Sequence, residues 1–118
     1  MNIEHAATIL NVRDMEASLR FYTEKLGFAE DFRFGNYAGI SRGAALLHLC
    51  AHFQENRPPG SGVAYFFCDE VDDFYAALQE KGVPLPCAPK DQEYGMRDFL
   101  FFDPDGNQLS FGCGIKQG

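Results

Sequence analysis

The chain has 118 residues, 46% of them hydrophobic and 14% aromatic, with a net charge of −7. That length supports a single domain with its own core, and the lack of any Lys/Arg cluster argues against nucleic acid as a partner. The apolar runs fall far short of the roughly 20 residues that cross a bilayer, so no membrane partner is expected; the opening MNIEHAATIL also lacks the basic segment of a signal peptide.

In chain order, AATILNV (6–12) has the composition of a strand. Asp14 is placed to cap a helix over MEASLRFYTEKLG, whose Met15, Leu19, Tyr22 and Leu26 fall on one face, and Gly27 closes it. FAEDFRF, NYAGISR and AALLHLCAH follow as three short strands, with turns at Gly35-Asn36 and Gly43. FQENRPPGSG (53–62) is a loop.

The pattern then restarts. VAYFFCD (63–69) is a strand; Tyr65, Phe67 and Asp69 share the more polar face, which is expected to look into a cleft. EVDDFYAALQEKG is a helix with Val71, Phe74, Tyr75 and Leu78 inward, closed by Gly82. Asp69, Asp72 and Asp73 are expected to cap and solvate it. VPLPCAP is expected as an edge strand broken by prolines. MRDFLFF and NQLSFGC form a last hairpin around DPDG, where Pro104 presets φ and Gly106 supplies φ > 0. The four cysteines, Cys50, Cys68, Cys87 and Cys113, lie in or near apolar stretches and form no C-x-x-C pair. They are expected to be buried free thiols, suited to a reducing cytoplasm.

The order strand, helix, strands occurs twice, with Gly27 and Gly82 at equivalent points, so an internal duplication is the economical account. The expected fold class is α+β. One domain, 1–118, is made of two βαβββ modules, about 1–54 and 62–118. Two curved sheets carry their helices outside, and the concave faces form a cleft, the default place for a ligand.

NVRDMEASLRFYTEKLGF, DEVDDFYAALQEKGV and YGMRDFLFFDPDGNQLSF, in this order, resemble the vicinal oxygen chelate superfamily, which includes glyoxalase I, fosfomycin-resistance enzymes, extradiol dioxygenases and bleomycin-resistance proteins. The resemblance runs nearly end to end and implies the fold more than the chemistry. In the enzymes of that group, metal ligands stand at positions that correspond here to Ala7, to Val63 or its neighbour Ala64, to Ser110, and to His48. Alanine and valine have no donor, and a neutral serine hydroxyl is a poor one. The resemblance therefore implies no metal and no cofactor. A rescue would need His5 with His48, and Glu93 or Asp98 as a third ligand.

YAGISRGAALLHL, VAYFFCDEVDDFYAAL and EYGMRDFLFFDPDGNQLSF are more similar to the metal-free bleomycin-resistance proteins, homodimers that hold a cationic glycopeptide between subunits by stacking on aromatic rings. The resemblance implies stacking by Tyr37, Tyr65 and Tyr94, with Phe67 beside Tyr65, and a hydrogen-bonding role for His48 in the cleft. Arg97 is placed to clamp an anionic group or to pair with Asp98 or Glu93. Tyr22 and Tyr75 lie on helix faces and belong to the core. The expected function is a cytoplasmic, homodimeric, metal-independent protein that sequesters an amphipathic, cationic or aromatic small molecule, as in antibiotic resistance. The alternatives are a metal-dependent lyase, isomerase or transferase using His48 and His5, and a regulatory or interaction module without a ligand.

Overall fold

The computed structural model describes residues 1–52 and 57–116. In chain order it contains β1 (Thr8–Asn11), α1 (Met15–Arg20) continuing into a π-helical turn (Phe21–Lys25), β2 (Ala29–Phe34), β3 (Tyr37–Arg42), β4 (Ala45–Cys50), β5 (Val63–Phe67), α2 (Val71–Glu80), β6 (Lys90–Asp91), β7 (Met96–Phe102) and β8 (Gln108–Gly114). The strands form two four-stranded sheets, ordered β1-β4-β3-β2 and β5-β8-β7-β6. In each, the strand before the helix runs parallel to the last strand of its half, and the remaining pairs are antiparallel. The two halves have the same topology, as the repeated pattern predicts.

Three local expectations need correction. No strand forms over 83–89; pairing begins only at Lys90, opposite Asp98. Pro84 and Pro86 each lack the N–H that a ladder needs. The cysteines are free but not fully buried: Cys87, in that proline-broken segment, is exposed, and Cys50, Cys68 and Cys113 are half-buried. No side chain caps α2 at Glu70; Asp72 and Asp73 sit in its first turn, where they favour the helix dipole. Of the predicted 53–62 loop, residues 53–56 lie outside the described residues.

Asp14 does cap α1, accepting from the Ala17 N–H at 3.1 Å. The first helix is one residue longer between cap and closing glycine than the second. The π turn absorbs that residue. Phe28 N–H reaches back to the Tyr22 carbonyl, whereas in the second half Val83 N–H reaches the Leu78 carbonyl, one residue closer. Met15, Leu19, Tyr22 and Leu26 all remain buried.

One core serves both halves. Leu10, Ala38, Ile40, Leu47 and Leu49 from the first sheet join Ala64, Phe99, Phe101, Leu109 and Phe111 from the second, with the helix faces between them. The DPDGN turn ties the halves together. Asp103 is buried, and its two carboxylate oxygens accept four hydrogen bonds: from the Tyr22 hydroxyl (2.8 Å), the Asn107 side-chain amide (2.9 Å), and the Asp105 and Asn107 N–H groups (2.9 Å each). Asn107, fully buried, also donates to the Asn11 carbonyl at 3.0 Å and accepts from Gly62 N–H at 2.9 Å. Asp105 accepts from the Arg13 N–H (3.0 Å) and guanidinium (3.1 Å). Burial, then the charge of Asp103, holds the Tyr22 phenol well above its ordinary pKa, so it stays a donor.

Asn107→Ala leaves the half-buried Gly62 N–H and Asn11 carbonyl and one lone pair of buried Asp103 without their partner. We expect a loss of about 3 kcal/mol in urea unfolding, since each unsatisfied buried group costs about 1–3 kcal/mol.

Candidate functional site

The alternation of β5 is as predicted. Ala64 turns inward and is buried, while Val63, Tyr65 and Phe67 turn outward on the concave face. Tyr65 and Phe67 have their ring centroids 5.1 Å apart. Phe67 is 79% exposed and Tyr94 is 67% exposed, a large apolar area to leave in water. Beside them lies a pocket of about 400 Å3, lined among others by Tyr65, Tyr94, Gln92, Cys87, Gln108 and Ser110.

Asp98, only 8% exposed, lies in the same pocket. Its carboxylate accepts from the Tyr65 hydroxyl (2.9 Å), the Tyr94 hydroxyl, and the Gln92 amide (3.0 Å). Tyr65 reaches it across β8, directly over Gly112. A methyl group on Gly112 would stand 2.0 Å from the Tyr65 oxygen, so only glycine permits this bridge. Burial pushes the Asp98 carboxyl up, but the hydrogen bonds from Tyr94, Tyr65 and Gln92 together outweigh it, leaving the pKa below the ordinary carboxylate value. The Tyr65 phenol is raised by burial and then by its bond to Asp98; Tyr94 is raised chiefly by its own bond to Asp98.

The other predicted residues are on the first sheet. Tyr37 Oη and His48 Nδ1 are 2.8 Å apart. Phe32 packs edge-on to His48, with centroids 5.3 Å apart, and lies over Gly39, where any Cβ would meet its ring at 2.0 Å. A depression of about 330 Å3 there is lined by His5, Ala7, Asp31, Phe32 and His48 among others. It shares no lining residue with the pocket on the second sheet. The structure therefore brings Tyr65 and Phe67 on β5 together with Tyr94 from the turn before β7, and Tyr37 with His48 on the first sheet.

Arg97 is on neither concave face. Alternation along β7 turns it away from Asp98, and it pairs with Asp72 (2.9 Å) and Asp91 (3.1 Å) beside α2, not with Asp98 or Glu93. A larger depression of about 590 Å3 lies on the helix side, between the β3–β4 turn and α2. Phe67 is the one predicted site residue on its rim. Its Arg42 is already bonded to the Leu26 carbonyl at 2.8 Å and stacked over Phe74.

The four positions that the resemblance matches to metal ligands fall on matching rungs. Ile9 pairs with His48 and Tyr65 pairs with Ser110, and Ala7 and Val63 each precede those rungs by two residues. Val63, not Ala64, faces outward. The donor set is one imidazole engaged with Tyr37 and one buried hydroxyl 3.4 Å from the Gln108 amide. That does not fit a divalent cation. Among the described residues no three His, Cys, Asp or Glu side chains converge to hold one, so His5 and His48 share a depression without completing a ligand set.

Sequence reasoning considered Asp98 only as a partner of Arg97 or as a spare ligand. The signal was present in MRDFLFF: alternation puts Asp98 opposite Arg97 and the core residues Phe99 and Phe101, on the side of Tyr65. Gln92 carried no comparable signal. Two outcomes follow. Gly112→Ala should displace Tyr65 and cost about 1–3 kcal/mol in urea unfolding. Because the folded pKa of Asp98 is depressed, its contribution to stability is present above the unfolded value of about 3.9 and is lost as pH falls through the folded value. The stability gap between the native protein and Asp98→Asn should thus be widest above about pH 4 and narrow below it, as read by unfolding at a series of pH values.

The chain matches the family model described as "Glyoxalase/Bleomycin resistance protein/Dioxygenase superfamily" over residues 2–111. Bleomycin resistance proteins of Geobacillus stearothermophilus and Staphylococcus aureus are each 28% identical to it, over 91% of this chain and 94% of theirs. The crystal structure of TnmS3, an antibiotic binding protein from Streptomyces sp. CB03234, superposes with a TM-score of 0.84 at 31% identity, covering 98% of this chain and 99% of that one. The bleomycin resistance determinant encoded on transposon Tn5 has the same fold, with a TM-score of 0.81 at 23% identity over 97% of this chain and all of its own. Two duplicated four-stranded sheets, the DPDGN tie and these matches lead to one conclusion: the chain belongs to the glyoxalase/bleomycin resistance protein/dioxygenase superfamily.

Proposed function

We propose that this chain is a metal-independent binding protein of the bleomycin-resistance type, a cytoplasmic homodimer that sequesters an amphipathic, cationic or aromatic small molecule. The observation that carries this reading is the concave face of the second sheet, where Tyr65 and Tyr94 line a pocket of about 400 Å3 and Phe67 stands exposed beside Tyr65. Two rings held by β5 and a third held through its hydroxyl to Asp98, all open to water, are a stacking platform with little conformational entropy left to lose. The names of the relatives, bleomycin resistance and antibiotic binding, support the same reading. A cleft that sequesters its ligand needs affinity and no Lewis acid, which agrees with Ala7, Val63 and Ser110 at the former ligand positions.

The dimer is supported by what a single chain leaves open. β1 and β5 are edge strands, each paired on one side only. Ile9, Phe34, Val63 and Phe67 stay exposed. The Tyr37–His48 pair and the Tyr65 cluster occupy separate depressions, so a twofold assembly that sets the first sheet of one protomer against the second sheet of its partner would join them in one cleft. The free thiols suit a reducing compartment. Among the described residues no helix is long and apolar enough to cross a membrane.

Calorimetric titration with bleomycin and with flat aromatic compounds tests the reading. We expect saturable binding that a chelator does not change, and a loss of about tenfold or more for Tyr65→Ala and for Phe67→Ala. Sedimentation should give the mass of a dimer. About one divalent metal per subunit, retained through gel filtration and lost in His48→Ala, would instead establish the metal-dependent alternative.

A further inference from the structure

The geometry points to Asp98 as the counter-ion for a protonated amine on the ligand, received in the pocket beneath Tyr65 and Tyr94. This rests on the concave face being a binding site, and it names the chemistry that face selects. Asp98 is more than nine-tenths buried, yet all three of its partners, Tyr65, Tyr94 and Gln92, are neutral. Arg97, its neighbour in sequence, is turned to the other face and engaged with Asp72 and Asp91. Lys90 stands directly across from Asp98 in the ladder and lines the same pocket, but it is exposed and makes no ion pair with it. β8 contributes no charge there, only Gly112 beneath the bridge and Ser110 beside it.

An ionised carboxylate without a counter-charge is costly to bury. Here two phenols and an amide offset part of that cost and keep the anion in place. Oδ2 takes both phenols and Oδ1 takes only Gln92, so acceptor capacity remains for one more donor. A ligand ammonium meets two attractions at once. It donates a charge-assisted hydrogen bond to the carboxylate, and it lies beside the electron-rich faces of the tyrosine rings. Its apolar or aromatic body then rests on Phe67 and Tyr65, 5.1 Å apart. The ligand class is therefore an organic amine carried on a flat or apolar body. A neutral or anionic compound of the same shape stacks without filling this position.

The test compares 2-naphthylmethylammonium with neutral 2-naphthylmethanol, by calorimetry on the intact protein near neutral pH. We expect the ammonium to bind about tenfold or more tightly than the alcohol. In Asp98→Asn that preference for the ammonium over the alcohol should vanish. Equal binding of the two probes to the native protein, or a preference that survives Asp98→Asn, overturns the role of Asp98 and leaves the binding reading intact. Saturable binding of neither probe overturns both. Should Asp98→Asn fail to fold, Lys90→Ala decides the matter. Lys90 is exposed, and removing its charge should raise the preference for the ammonium over the alcohol by about twofold or more. No change there also overturns the proposal.

Discussion

The arrangement of the molecule depends on one buried carboxylate. Asp103 spends its acceptor capacity on Tyr22 from the first half and on Asn107 and Asp105 from its own turn. Asn107 extends the contact to Asn11 and Gly62, at the end of β1 and just before β5. Each bond is short-range and directional, and the Asp103 and Asn107 side chains at their centre are shielded from water. Together they set how one βαβββ unit meets the other, while the shared apolar core supplies most of the driving force. The arrangement buries the helix-facing sides of both sheets and leaves both concave faces with aromatic rings in water.

Those concave faces are built by subtraction. The Phe32 ring lies over Gly39, and Tyr65 crosses β8 over Gly112. In both places a strand gives up a side chain so that a ring can pass across its backbone. What remains on the second sheet is a platform of rings around a single held anion.

The fold was largely legible in the sequence, because it is written in repetition. Strand and helix periods and a closing glycine recur in the right order, the DPDG turn marks the last hairpin, and all of these are local signals. The predicted strand over VPLPCAP failed for an equally local reason: two prolines interrupt its donors. The site was legible only in part. The outward turn of Tyr65 and Phe67 follows from alternation, and so does the separation of Arg97 from Asp98. Which carboxylate Tyr65 and Tyr94 would reach does not follow, since that depends on the register between β5, β8 and β7 and on Gly112 opening the path. The partners of Arg97 were equally hidden, because Asp72 and Asp91 lie 25 and 6 residues away in sequence.

The π turn between α1 and Gly27 bears on how such a chain ages. After a duplication, two copies drift apart in length as well as in composition. An extra residue in a regular helix would rotate everything after it by about 100 degrees and carry the buried face into solvent. Here the wider turn takes up the surplus within Phe21–Lys25. Leu26 and Phe28 stay buried, and the Lys25 and Lys81 ammonium groups still reach across to each other's backbone carbonyls. Length has become a tolerated variable at that point, and each half can change its own helix without renegotiating the contact with the other.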